Sequence, residues 1–234
     1  MLLAIDDISG YLDNGFITTS ALTAEDVERV LADADRLQSE AAALEHSTGD
    51  FNLEAPDGGY RGQDGTETAY RGLLRKVSNT AAHSDAVLEI SRRPALTDLA
   101  LRLLGDVPCE LAHSVLWFKP PKVGSPKPPH QDAPYLAGDA TRYVTFWFAL
   151  DPSTVDNGCL LVAPGSHLHG AVLHYGNEAQ VSEERWRNES PTAMALPPGG
   201  AIAFHPYLLH SSGPNHSDRS RRALTLRYVK SEPA

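Results

Sequence analysis

The sequence predicts a mainly β domain with flanking helices (α+β), closed as a sandwich or barrel. Three observations carry that expectation. Before residue 105, apolar residues recur at helical spacing in two stretches. After Gly105 the texture changes to short runs rich in Val, Leu, Phe, Trp and Tyr. Clusters of Pro, Gly and Asn separate those runs, and many short strands with turn signals between them suggest a sandwich or barrel.

The first helix opens at Thr23-Ala24-Glu25-Asp26, where a threonine suits the N-cap and acids suit the first turn. Val27, Val30, Leu31, Ala34, Leu37, Ala41 and Leu44 then mark one apolar face, which should pack on the outside of a sheet. Residues 52–72 are rich in Gly, Asp, Glu and Thr and read as a long loop. It is either solvated or a lid over a site, since long loops without their own structure are often functional. As a lid it would offer Tyr60, Arg61, Tyr70 and Arg71 to a substrate. A second helix is expected over 94–104, with Pro94 in its first turn and Gly105 at its stop. Strands are expected at 111–119, 143–150, 159–162, 201–204 and 223–229. Residues 170–191 form a long insertion carrying Arg185, Trp186 and Arg187, a candidate second wall for a pocket. No linker divides the chain, so 1–234 reads as one unit, with 1–105 as largely helical support and lid and 106–234 as the sheet core.

Composition removes several function classes. The formal net charge of -10 argues against a general nucleic-acid binder, which would carry a basic patch. No run of about eighteen apolar residues indicates a membrane span. The N-terminus lacks the basic flank and apolar length of a signal peptide. Cys109 and Cys159 are too few for a disulfide scaffold, so free thiols in a reducing, cytoplasmic setting are expected. The expected partner is a small-molecule substrate, with no nucleic acid and no membrane.

The chemistry concentrates in His130-Gln131-Asp132 and the distant His210. Two imidazoles and one carboxylate can occupy one face of an octahedral metal and leave the other face open, the geometry of non-haem Fe(II) oxygenases. In an extended segment residues i and i+2 point the same way, so His130 and Asp132 can grip one ion together. Zinc could occupy the same donors. Of the other histidines, His167 reads as a hydrogen-bonding turn residue and His205 as a supporting or structural one. His113, on an expected strand, faces either a pocket or the core. His46, His83, His169, His174 and His216 read as surface or loop residues.

The surroundings of the triad are more specific than the triad itself. Pro128-Pro129-His130-Gln131-Asp132-Ala133-Pro134-Tyr135 comes first, then 157–167 (Asn-Gly-Cys-Leu-Leu-Val-Ala-Pro-Gly-Ser-His). Then follow 204–215 (Phe-His-Pro-Tyr-Leu-Leu-His-Ser-Ser-Gly-Pro-Asn) and Arg221-Arg222-Ala223. In order and spacing these segments resemble the phytanoyl-CoA dioxygenase family of Fe(II)- and 2-oxoglutarate-dependent oxygenases. The resemblance runs from the Tyr11-to-Phe16 opening to about Val229. It implies a double-stranded β-helix (a jelly roll, cupin-like) with Fe(II) on His130, Asp132 and His210, 2-oxoglutarate as co-substrate, and O2.

The co-substrate's distal carboxylate needs a cation, for which a guanidinium is suited. Arg219, Arg221 and Arg222 are in reach by sequence. Alternation puts Arg221 and Arg222 on opposite faces of a strand, and the family's spacing from the distal histidine picks Arg221. Ser212 resembles the family serine that supports the same carboxylate, Lys76 a lysine that reaches 2-oxoglutarate, and Trp147 a tryptophan on the strand after the first ligand pair. Gln131 is a family feature also assigned to the cofactor, although a regular strand would point it away from its neighbours. Tyr135, Arg142 and Tyr60 are the candidate substrate contacts. Because Asp132 occupies the position that related halogenases leave empty for halide, the implied reaction is hydroxylation of an unactivated C–H bond in a small metabolite or an intermediate of specialised metabolism, with desaturation, ring formation and epimerisation left open because they begin with the same hydrogen abstraction. The rival readings are a zinc-dependent hydrolase on the same triad and a non-catalytic jelly-roll binding protein. Neither has a use for Arg221.

Overall fold

A computed structural model describes residues 8–55, 69–176 and 179–232. The chain runs α1 (Ile8–Asn14), β1 (Phe16–Ser20), α2 (Ala24–Ala41), β2 (Phe51–Leu53), β3 (Leu74–Ser78), α3 (Asp85–Ser91), α4 (Pro94–Leu103) and β4 (Cys109–Lys119). It continues with β5 (Lys127–His130), β6 (Tyr143–Ala149), β7 (Leu160–Val162), α5 (Glu183–Asn188), β8 (Thr192–Met194), β9 (Gly200–Phe204), β10 (His210–Ser212) and β11 (Arg221–Lys230). The strands form a seven-stranded sheet, β1-β9-β6-β11-β4-β3-β2, and a four-stranded sheet, β5-β10-β7-β8. Every pairing is antiparallel. This is the jelly roll.

The central strands β6 and β9 of the larger sheet are buried on both faces, and alternation sorts the side chains. Val144, Phe146 and Phe148 of β6, with Leu224, Leu226 and Tyr228 of β11, join the helices in one apolar core. The intervening residues Trp147, Ala149 and Ala223 meet Leu160 and Val162 of the smaller sheet in a second core. The first core fixes the sheet and the second holds the two sheets together around the site.

The helix α2 forms where its cap and periodicity dictate. Thr23 Oγ1 accepts from the Asp26 amide, and the Asp26 carboxylate accepts from the Thr23 amide, closing a capping box. Val27, Val30, Ala34, Leu37 and Ala41 are its buried stripe. Two ion pairs staple it down. The Asp26 carboxylate takes both Arg93 nitrogens at 2.7 Å, tying α2 to the start of α4. Arg222, on the outward face of β11, donates to Asp151 and reaches Asp35 of α2.

Three expectations about organisation are refined. The first 105 residues are not only helical support, because β1, β2 and β3 add three strands to the larger sheet. The segment 52–72 begins inside β2, its 56–68 portion lies outside the described residues, and Arg71 pairs with Glu45 at 3.7 Å. The insertion 170–191 does not wall the cavity with any described residue. Val172, Val181 and Trp186 instead pack on Ala163 and Leu209, behind the smaller sheet. No helix among the described residues is long and apolar enough to cross a membrane.

Candidate metal and co-substrate site

Strand pairing brings the two histidines together. His130 at the end of β5 and His210 at the start of β10 are direct register partners. Asp132 reaches them differently from the simple strand alternation that the sequence suggests. The strand ends at His130, and Asp132 has helical backbone angles (φ -72, ψ -25) at the entry to the turn Ala133–Tyr135. All three side chains are buried, and their ligand atoms lie within 4.8 Å of one another. The Nε2 atoms of His130 and His210 each lie 3.8 Å from Asp132 Oδ1. That is too long for a hydrogen bond and leaves the three atoms facing a common point.

The other ring nitrogens are already committed. His130 Nδ1 lies 2.8 Å from the Pro128 carbonyl and His210 Nδ1 3.0 Å from that of Leu208. A carbonyl can only accept, so each Nδ1 carries the proton and each Nε2 presents its lone pair. Burial drives both imidazoles below their ordinary pKa, which keeps them neutral. For Asp132, burial alone would raise the pKa, but the Arg227 guanidinium, through its charge and its hydrogen bond, outweighs it and holds the carboxyl below the usual range. Two neutral imidazoles and one carboxylate are the donor set of a non-haem Fe(II) centre, and they fit the ion.

The triad opens into a cavity of about 300 Å³ between the two sheets. Its walls include Lys76, Tyr135, Trp147, Ser212 and Arg221. Arg221 is 3% exposed. Its Nη2 donates to the Gly158 carbonyl at 3.0 Å, Nε has no partner among the described residues, and the guanidinium lies 5.4 Å from the Trp147 ring. No described carboxylate pairs with it. Burial pushes it down to about 10, still fully charged at neutral pH. A buried cation with an orphaned donor fits a carboxylate that arrives from outside. The turn beneath it requires glycine: Gly158 has φ +78, and a Cβ there would lie 2.2 Å from the Gly213 carbonyl oxygen.

Several residues that the sequence reading passed over line the same cavity. Lys119 is buried opposite Arg221 and donates to the Ser125 and Gly213 carbonyls at 2.5 and 2.6 Å. Burial, with Arg221 and Arg75 nearby, pushes it well below the usual lysine range. Buried Glu54 accepts from Ser125 and lies 3.9 Å from Arg75. Arg227 and Thr145 contact Asp132 directly. The signal for Arg227 was available: counting by twos from Arg221 along one strand gives Ala223, Thr225 and Arg227 on the same face.

Other expectations need correction. Gln131 is fully buried but does not face the cavity. Its Nε2 donates to the carbonyls of Gly170 and Tyr207, and its Oε1 accepts from the Val172 amide. All its polar capacity goes into tying two loops behind the triad, so it is not a cofactor contact. Arg142 also lies away from the cavity, held at 2.5 Å by Glu232 and by the Lys230 carbonyl. Tyr60 and Arg61 lie outside the described residues. Tyr135 is at the cavity wall, its hydroxyl accepting from Lys127 at 2.9 Å. His113 lines the cavity, whereas His205 packs on Tyr11, His167 and Tyr207 away from it.

A jelly roll that converges two histidines and a carboxylate defines a class, the proteins with a facial-triad metal centre of the non-haem Fe(II) type. Comparison with known proteins narrows it. The chain belongs to the phytanoyl-CoA dioxygenase (PhyH) family, whose sequence pattern matches residues 11–223. It is 30% identical over 232 residues to a probable alpha-ketoglutarate-dependent hypophosphite dioxygenase from Stutzerimonas stutzeri, covering 95% of this chain and 77% of that one. It is 30% identical over 159 residues to mouse phytanoyl-CoA dioxygenase domain-containing protein 1, covering 64% of this chain and 54% of that protein. The chain thus spans only about half the length of some of its relatives. Among solved structures, EctD from S. alaskensis with 2-oxoglutarate and 5-hydroxyectoine superposes with a TM-score of 0.75 at 22% identity, over 95% of this chain and 74% of that one. At that identity the likeness speaks for the fold.

Proposed function

We propose that this protein is an Fe(II)- and 2-oxoglutarate-dependent dioxygenase that hydroxylates a C–H bond of a small molecule. The observation that carries the reading is the pairing of the His130/Asp132/His210 triad with a buried Arg221, which has no carboxylate partner among the described residues, in one cavity. Iron held by His130, Asp132 and His210 would supply oxygen activation, coupled to conversion of 2-oxoglutarate to succinate and CO2. Arg221 and Ser212 bind the distal carboxylate of 2-oxoglutarate, and Trp147 packs over the guanidinium. Lys76, at the same cavity wall, reaches 2-oxoglutarate, and Tyr135 stands at the wall available to the substrate. The apolar sheet-to-sheet core borders the site and lowers its dielectric, which strengthens each of these charge contacts. Asp132 fills the position a halide would need, so hydroxylation is favoured over halogenation. The names of the relatives span phytanoyl-CoA and hypophosphite, so family membership leaves the substrate to be found. A zinc hydrolase or a binding module would leave Arg221 without a use.

The test is anaerobic titration of the metal-free protein with Fe(II), then 2-oxoglutarate. A charge-transfer absorbance should appear with both present, and admission of O2 should yield succinate. Absence of both signals would remove the oxygenase reading, and turnover without 2-oxoglutarate consumption would favour the hydrolase.

A further inference from the structure

We propose that Arg227 and Thr145 are positioning residues that lock Asp132 as a one-oxygen ligand, a role that rests on the metal reading above. Asp132 sits in a turn after β5, so no strand ladder fixes its carboxylate. The larger sheet does so from across the cavity. Arg227 of β11 is the register partner of Thr145 on β6 and of His113 on β4. Arg227 Nη2 donates to Asp132 Oδ2 at 2.5 Å, and Thr145 Oγ1 donates to the same oxygen at 2.9 Å. Arg227 Nε donates to Thr145 Oγ1 at 3.0 Å. The threonine hydroxyl has one proton to give and lone pairs to accept with, so this ring of three residues admits one proton arrangement.

The consequence is asymmetric. Oδ2 is occupied by a guanidinium and a hydroxyl, while Oδ1 faces both Nε2 atoms at 3.8 Å. A carboxylate clamped in this way offers one oxygen and cannot rotate to offer two. A second carboxylate oxygen on the ion would take one of the open positions that co-substrate and oxygen need. The contacts behind a ligand orient it, and their loss typically lowers metal affinity ten- to a hundredfold.

The experiment compares Arg227→Gln, Thr145→Val, their combination, Arg227→Lys and His210→Ala with the wild type. Fe(II) affinity of the metal-free protein and the position of the Fe(II)–2-oxoglutarate charge-transfer band are measured anaerobically. Arg227→Gln and Thr145→Val should each weaken Fe(II) binding about ten- to a hundredfold and shift the band, with less-than-additive effects in the double variant. Arg227→Lys should recover much of the affinity. Thr145→Val is isosteric and decides the question if Arg227→Gln fails to fold. Wild-type affinity and an unshifted band in Thr145→Val and Arg227→Gln, alongside loss of metal in His210→Ala, would overturn the proposal. Retained metal in His210→Ala would instead overturn the assignment of the ion's site.

Discussion

Arg221 carries a full charge in a dry place with a single carbonyl acceptor among the described residues. Desolvating a charge without a partner costs several kcal/mol, so the residue works against the stability of the protein that lacks co-substrate. Two outcomes follow. Arg221→Met should raise the stability of the metal-free protein by about 1–4 kcal/mol in urea denaturation. The same change should weaken 2-oxoglutarate binding by about 2–5 kcal/mol, read from the charge-transfer band. Arg222→Ala should leave that band's titration unchanged, because its guanidinium points to Asp151 and Asp35 on the other face. At this scale the triad was legible because chemistry restricts which residues can serve. For Arg221, strand parity only separates it from Arg222, and it is the resemblance to the family, through the spacing from His210, that picks it. Gln131 misled because it lies between two ligands in sequence while the chain turns between them. Parity with Arg221 puts Arg227 on the inward face, but its partner Asp132 is 95 residues away, and only sheet register identifies that contact.

Asp26 shows how one side chain holds an element in place. Its carboxylate caps α2 and grips Arg93 ahead of α4. The Arg93 contact holds its pKa below the ordinary carboxylate range against the opposing pull of burial. A folded-state pKa below the unfolded one means the stabilisation is fully present above about pH 4 and is lost as pH falls through the folded value. Asp26→Ala should therefore cost about 1–3 kcal/mol at pH 7 in urea denaturation. The gap between variant and wild type should narrow below pH 4; a constant gap would show that packing, not charge, is what Asp26 supplies. Elements with local signals were the readable ones. The helix α2 has a cap and a periodic stripe, and α4 has Pro94 at its start and Gly105, with φ +79, just past its end. Strand β1 carries no such mark. It is a strand because it pairs with β9, almost two hundred residues later, and its sequence of Phe, Ile, Thr, Thr and Ser does not reveal that partner. Two prolines likewise disguised β5.

For the molecule as a whole, the site lies between two sheets that share one modest apolar core. Ligands that bind only the closed arrangement should therefore stabilise the entire fold by mass action. At a hundredfold excess over the dissociation constant the gain is about 2.7 kcal/mol, or roughly 5–10 °C in Tm for a chain of this size. Fe(II) with 2-oxoglutarate should raise the Tm by that order under anaerobic conditions, and a chelator should reverse it; no shift with saturating ligand would mean that the site tolerates opening of the sheets. The edge strand β5 gives that linkage a direction. Two of its four residues are prolines with no amide proton to donate, so it adheres to β10 through few backbone bonds, and the last of its residues is His130. An ion gripped by His130 and His210 would be a rivet through the seam between those two strands. Peeling would then begin at the strand that bears the first histidine ligand, so that losing the metal and loosening the small sheet become the same event.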